Sequence, residues 1–334
     1  MGGWFGPFRL ERRVGRGGLG AVWRAIDSRS STAVALKLLP AGSDPLAAER
    51  TRREFSLLRQ VSHANVVRLL DTGVLDGTPW LSMELIEGLG IREWLTIAGA
   101  PVPLEPEPGE EAHGSEGVDL DALYDEPDSG ALVAAARARR LLTISGLDQE
   151  MELAEQIRTN APARLAALCD SLAQVCEGLA EVHARGLVHR DVKPANILVT
   201  ASRRAVLVDF GLVKRQGDEQ STDAGRVVGT MRYMAPEQAR GENVDGRADL
   251  YSLGATLYEL LAGRPPFPQD GQLQLMEAVM GEMPTDIPTI NPGAPMALCA
   301  LAHRMLSKAP RTRPGDAREV AAVLRAVGHR LERR

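Results

Sequence analysis

Three stretches of the chain carry side chains suited to moving a phosphoryl group. In His189-Arg190-Asp191-Val192-Lys193-Pro194-Ala195-Asn196 a carboxylate, an ammonium and a carboxamide follow one another, and a second carboxylate opens Asp209-Phe210-Gly211. Asn196 and Asp209 are oxygen donors that suit Mg²⁺, a hard cation commonly shared with substrate phosphates. Asp191 is placed to accept the proton of an attacking hydroxyl, and phosphoryl transfer asks mainly for positioning and charge neutralisation. The third stretch is G-x-G-x-x-G, formed by Gly15, Gly17 and Gly20. Alone it is a weak signal, because dinucleotide-binding folds use the same glycines to open a helix. Here a strand and a hairpin follow, which suits a loop whose backbone N–H groups cover a triphosphate. In Val34-Ala35-Leu36-Lys37 the two-residue period of a strand puts Ala35 and Lys37 on one face. The small residue leaves room for a flat base beside a phosphate-seeking ammonium. A lysine on an apolar strand needs an anionic partner, and Glu54 is the candidate, the alternative being an ordinary solvated helix residue.

These groups need a scaffold. Alternating segments predict strands over Phe8–Val14, Ala21–Asp27 and Ala33–Leu39, and an amphipathic helix over residues 46–61. Strands near Val66–Leu70 and Trp80–Leu85 complete a small sheet-plus-helix lobe that ends about residue 86. Asp71-Thr72-Gly73 and Asp76-Gly77 are read as its turns. Beyond a short helix at Ile91–Leu95, helical patterns predominate: Leu165–His183, Ala248–Ala262, Leu273–Met280, Ala297–Leu306 and Ala317–Leu331. Asn196–Val199 and Ala205–Val208 read as an antiparallel hairpin, which brings Asn196 beside Asp209. No internal repeat is present.

The 334 residues, 44% hydrophobic and 25% charged, suit one large domain or two lobes sharing a cleft, and exclude a wholly disordered or fibrous chain. No apolar run is long enough to span a membrane. The start, Met-Gly-Gly-Trp-Phe-Gly-Pro, lacks the basic and apolar regions of a secretory leader and the hydroxyl residue of a myristoylation signal. Three cysteines give no disulfide framework and fit a reducing compartment. Cys169 and Cys176 share a helix face and read as small core residues. Ten acidic residues and no Lys or Arg lie between Pro101 and Gly130; removing their −10 from the net −5 leaves +5 for the rest. That acidic, proline-bearing segment opens an insertion over about 99–160 and is expected to be loosely held, while Ala131–Arg158 is helix-compatible. A solvated excursion is the plain expectation for it; docking of a basic partner, or a pseudosubstrate-like contact with the protein's own basic surface, is the functional one. Nothing in the mildly basic body suggests a nucleic-acid partner, and His113 has no ligand neighbours that would argue for a structural metal.

Taken in order, the His189–Asn196 stretch, Asp209-Phe210-Gly211 and Ala235-Pro236-Glu237 make the chain resemble the protein kinase family. Within it, the chain is similar to the bacterial serine/threonine kinases related to the eukaryotic ones. The resemblance covers residue 8 to about 325 apart from the insertion. It implies an α+β, two-lobed protein kinase fold: a small β-rich N-lobe with one main helix over 1–86, and a larger, mostly helical C-lobe over 87–334. It implies ATP as phosphoryl donor with Mg²⁺, or Mn²⁺ in its place. Lys37 would hold the α- and β-phosphates and pair with Glu54; Asp191 would orient the hydroxyl; Lys193 would contact the γ-phosphate; Asn196 and Asp209 would bind the metal. Val14, Val22, Ala35 and Leu198 would sandwich the adenine, with Met83 as gatekeeper and the Glu84–Ile86 backbone as hinge. His189 would be structural, stacked with Phe210, Leu58 and Leu69 and tied to Asp249. Glu237 would pair with Arg313. Lys193 and Thr230 match the Ser/Thr-specific pattern, so protein Ser/Thr hydroxyls are the expected acceptors. Arg190 before Asp191 implies an activation segment ordered by autophosphorylation, at Thr222 first and Ser221 second. A regulatory homodimer, a cytoplasmic location and no membrane span complete the expectations. The competing readings are a scaffold that binds ATP without turnover, against which intact Lys37, Asp191 and Asp209 argue, and a small-molecule phosphotransferase, disfavoured by Lys193, Thr230 and Ala235-Pro236-Glu237.

Overall fold

The computed structural model describes residues 3–17, 20–39, 58–98, 159–210 and 231–333. Strands β1 (Trp4–Phe5), β2 (Phe8–Gly17), β3 (Gly20–Asp27), β4 (Thr32–Leu38), β5 (Leu69–Leu75) and β6 (Thr78–Glu84) form one antiparallel sheet in the order β1-β2-β3-β4-β6-β5. One of its faces buries Phe8, Ala25, Val34, Leu36 and Trp80, with the Phe8 ring edge-on to Trp80. Register places Ala35 opposite Met83 and Lys37 opposite Leu81.

One local reading changes. Asp71-Thr72-Gly73 is not a turn but the middle of β5, entered through a register shift between Leu69 and Asp71. The cause is tertiary: a Cβ on Gly73 would fall 2.6 Å from the Trp80 ring, and the Thr72 hydroxyl donates to the Trp80 carbonyl at 2.8 Å. Asp76 and Gly77, both with positive φ, do make the turn. Strand β1 had no signal of its own, being two residues long. The helix expected over 46–61 lies outside the described residues as far as residue 57, and Glu54 with it; so do the acidic segment and the helix-compatible stretch after it.

A second, three-stranded sheet contains β7 (Gly88–Gly90), β8 (Ile197–Thr200) and β9 (Ala205–Leu207). The helices are α1 (Ile91–Ala98), α2 (Pro162–Ala184), α3 (Pro236–Ala239), α4 (Gly246–Ala262), α5 (Gln272–Gly281), α6 (Ile287–Ile290), α7 (Met296–Met305) and α8 (Ala317–Glu332); α1 packs on β7 and β8, and α2 on β9. Proline at its first position starts α2, whose missing N–H costs the helix nothing there. Its apolar face and that of α4 build the main core. Gly178 lets α2 approach the chain at 65–66, since a Cβ would meet Val66 at 2.8 Å and the Asn65 carbonyl at 2.9 Å. None of the described helices is long and apolar enough to cross a membrane. Arg325 on α8 pairs with Glu177 on α2.

Cys169, Cys176 and Cys299 are buried. Burial pushes the Cys169 thiol up to about 12 and raises those of Cys176 and Cys299. The thiolate is the nucleophile, so iodoacetamide at pH 8 is expected to leave all three unmodified in the folded chain and to label them in urea. Mass spectrometry of the alkylated protein reads this directly; rapid native labelling of Cys169 or Cys176 would contradict the packing.

Candidate active site

The hairpin β8–β9 brings the two metal-ligand candidates together. Val199 faces Ala205 and Ile197 faces Leu207, and beyond the ladder the Val208 N–H donates to the Asn196 carbonyl at 2.9 Å. Asn196 thus stands at the start of one strand and Asp209 just past the end of the other. The hairpin is held from outside by residues 65–67: the Leu207 N–H donates to the Asn65 carbonyl at 2.9 Å and the Val67 N–H to the Leu207 carbonyl at 3.0 Å. Gln174 on α2 accepts from the Ala205 N–H at 2.9 Å and from the Asn65 amide at 2.9 Å.

Asp191 is buried among donors that suit a carboxylate. Lys193 Nζ lies 2.9 Å and Asn196 Nδ2 3.0 Å from its Oδ2. The same Nδ2 also donates to the Asp191 carbonyl at 2.7 Å. Both of these bonds use the nitrogen end of the Asn196 amide, which leaves Oδ1 as the acceptor end, as a cation ligand must be. The backbone is shaped by Asp249, fully buried on α4: its carboxylate accepts from the N–H groups of His189 at 2.8 Å and Arg190 at 2.7 Å and contacts His183 Nε2 at 2.8 Å. Arg190 (φ 65°) and Asp209 (φ 60°) are both left-handed. Non-glycine residues keep that conformation only where their surroundings impose it, and here one precedes Asp191 and the other is Asp209 itself. The His189 ring lies on Phe210 with centroids 4.5 Å apart, and Phe210 shares a cluster with Leu58 and Leu69. The expected tie from His189 to Asp249 runs through the backbone N–H.

Lys37 is buried and forms an ion pair with Asp209. In this arrangement a metal-ligand candidate supplies the anion that an apolar strand lysine requires. Ala35 and Met83 are buried face to face across the β4–β6 ladder, and Val22 packs on their cluster. Leu198 is half-buried on β8, Ile86 is half-buried beyond β6, and Val14 is exposed at a register shift between Arg13 and Gly15. Gly15 lies in β2 and Gly17 ends it. Gly20 has φ 117°, and a Cβ there would fall 1.8 Å from the Leu38 carbonyl oxygen, so no other residue fits. Glu84 ends β6 and pairs with Arg204 at 3.0 Å.

On the acceptor side, Arg92 on α1 donates to Tyr233 at 3.0 Å and pairs with Glu259 on α4, which also accepts from the Tyr233 hydroxyl. Burial, with Glu259 beside it, raises the Tyr233 hydroxyl above its ordinary value. Glu237 and Arg313 form a buried two-pronged pair with contacts of 2.6 and 2.8 Å. Thr230, Ser221 and Thr222 lie outside the described residues. Sequence reasoning missed the Arg204–Glu84 pair and the Arg92–Tyr233–Glu259 cluster; Arg204 and Arg92 lie more than a hundred residues from the partners they reach, a separation that leaves no local signal.

As a donor set, Asn196 Oδ1 and the Asp209 carboxylate fit a hard divalent cation that takes its remaining ligands from phosphate and water. Among the described residues no group of three or more His, Cys, Asp or Glu side chains forms a self-sufficient protein cage for a metal.

A family model described as protein tyrosine and serine/threonine kinase matches residues 8–322. Among curated relatives, the serine/threonine-protein kinase PknH of Mycobacterium bovis is 32% identical over 324 residues, covering 96% of this chain and 44% of that one. The serine/threonine-protein kinase PknE of Mycobacterium tuberculosis is 33% identical over 325 residues, covering 97% of this chain and 46% of its own. The chain therefore spans less than half the length of these relatives. Among solved structures, the PknI kinase domain of Mycobacterium tuberculosis aligns with a TM-score of 0.61 at 23% identity over 98% of this chain and 98% of that one, a likeness of fold.

Proposed function

Because the chain belongs to the protein tyrosine and serine/threonine kinase family, we propose that it transfers the γ-phosphate of ATP to Ser and Thr hydroxyls of proteins. The observation that carries this reading is the convergence of Asp191 and Lys193 in the loop before one hairpin, Asn196 and Asp209 at its open end, and Lys37 reaching Asp209 from β4. Asp191 orients the acceptor hydroxyl and takes its proton. Lys193, already beside that carboxylate, neutralises charge on the γ-phosphate. Lys37 exchanges Asp209 for the α- and β-phosphates, and Ala35, Val22, Val14 and Leu198 enclose the base next to Met83 and the 84–86 hinge. Asn196 and Asp209 hold a divalent cation, Mg²⁺ in our reading with Mn²⁺ as the alternative, which supplies charge neutralisation at the phosphates. Substrates are proteins, as Lys193, Thr230 and the Glu237-anchored segment favour. We further propose a division into lobes near residue 86, Glu54 as partner of Lys37 once nucleotide is bound, autophosphorylation at Thr222 and then Ser221 with the phosphate paired to Arg190, a cytoplasmic location and a regulatory homodimer.

The test is incubation with Mg·ATP and a basic acceptor protein, followed by phosphoamino-acid analysis of the acceptor and peptide mapping of the enzyme. Phosphoserine and phosphothreonine in the acceptor, with phosphate on the peptide holding Ser221 and Thr222, are expected. Phosphotyrosine alone, or no transfer, would overturn the reading.

A further inference from the structure

Arg204 closes the β8–β9 turn and reaches out of it. Its own backbone is fixed: the N–H donates to Thr200 Oγ1 at 3.2 Å, its carbonyl accepts from the Thr200 N–H at 3.0 Å, and Arg203 before it is left-handed. From that base one guanidinium nitrogen donates to Glu84 Oε1 at 3.0 Å and another to the Ala64 carbonyl at 3.3 Å. A planar fork that spans two acceptors holds both in a set geometry, which a lysine cannot do. Glu84 ends β6, where the hinge begins; Ala64 precedes the segment that pairs with β9. The hairpin that carries Arg204 also carries Leu198 and, at its two ends, Asn196 and Asp209.

We propose that Arg204 is a positioning residue for the nucleotide, acting from the rear of the cleft. In the kinase reading above, on which this proposal rests, the nucleotide is a ligand of fixed length with its base at the hinge and its phosphates at Asn196 and Asp209. The affinity of such a ligand depends on the span between those two ends being set before it arrives. The backbone bonds to residues 65–67 locate the hairpin relative to β5; Arg204 adds the side-chain link from the hairpin to the hinge itself. Arg204 touches no atom of the reaction, so its loss acts on nucleotide affinity and not on acceptor binding. Both partners are about one-third exposed, at 35% and 32%, and pairs of that kind are modest, so the expected effect is about threefold.

Four variants decide it: Arg204→Ala, Arg204→Lys, Glu84→Gln and the Arg204→Ala/Glu84→Gln double. For each, the KM for ATP, the KM for the acceptor protein, the Kd of Mg·ADP by calorimetry and the Tm are measured. Arg204→Ala is expected to raise the KM for ATP and the Kd of ADP together by about threefold with the acceptor KM unchanged. Arg204→Lys falls between it and the wild type, and the double is no worse than the poorer single, the signature of one shared interaction. Unchanged ADP affinity in both Arg204→Lys and Glu84→Gln would overturn the proposal, as would losses that multiply in the double. Wild-type chain that binds no Mg·ADP would overturn the kinase reading and this proposal with it, whereas active wild type with indifferent variants removes this proposal alone.

Discussion

Asp191→Asn is expected to lower kcat by about a thousandfold or more while leaving the Kd of Mg·ADP within about twofold. The substitution is nearly isosteric, and its surroundings show why folding survives it. The Asp191 carbonyl that receives the Asn196 amide is untouched, and a carboxamide oxygen can still accept from Lys193 and Asn196. What disappears is the negative charge and, in the proposed role, the base that takes the acceptor's proton. A carboxylate that merely balanced Lys193 would behave differently: removing it would change stability and spare turnover. Initial rates with a protein acceptor, the ADP affinity and a melting curve on one preparation separate the two. Turnover within about tenfold of wild type would remove Asp191 from the base role.

How far the sequence predicted this site depended on the range of the forces involved. The hairpin was legible because its parts are local: two short apolar strands, a polar turn, and a period of two that leaves Asn196 and Asp209 at the open end. Ala35 and Lys37 were legible for the same reason, and the ladder to Met83 places them where alternation said. Asp71-Thr72-Gly73 misled because its composition is that of a turn, while the Trp80 ring, which needs the space a Cβ would take, makes it a strand. The partner found for Lys37 could not be derived from spacing either, since Asp209 lies 172 positions away. The recognised motifs supplied Asp249 and Arg313 as partners, but the manner of the Asp249 contact, two backbone N–H groups on one buried carboxylate, is a matter of packing that no motif states.

Arg313→Ala is expected to cost about 3–5 kcal/mol of stability, and to lower Tm by roughly ten degrees. The pair it breaks is buried at both ends, at 2% exposure for Arg313 and 4% for Glu237. Replacing a buried ion pair by apolar residues is often harmless, because desolvation of the charges offsets most of their attraction. Arg313 differs in how fully it is used. Besides Glu237 it donates to the carbonyls of Ser307 at 2.8 Å, Arg247 at 2.9 Å and Lys308 at 3.1 Å, so all five of its N–H groups have acceptors. Its guanidinium also sits 4.9 Å from the Tyr251 ring centre. The double variant Arg313→Met/Glu237→Leu therefore leaves three part-buried carbonyls without their donor, and it is expected to recover less than half of the loss. Glu237→Gln, which keeps an acceptor for the guanidinium, should lie closest to wild type. Because Glu237 lies in the first turn of α3, soon after Thr230 in the chain, the losses should also appear as a raised KM for the acceptor protein, with ADP affinity little changed. Urea unfolding of the four proteins ranks them. A fully stable double variant would mean that the pair is dispensable ballast, and that the carbonyls around it are satisfied some other way.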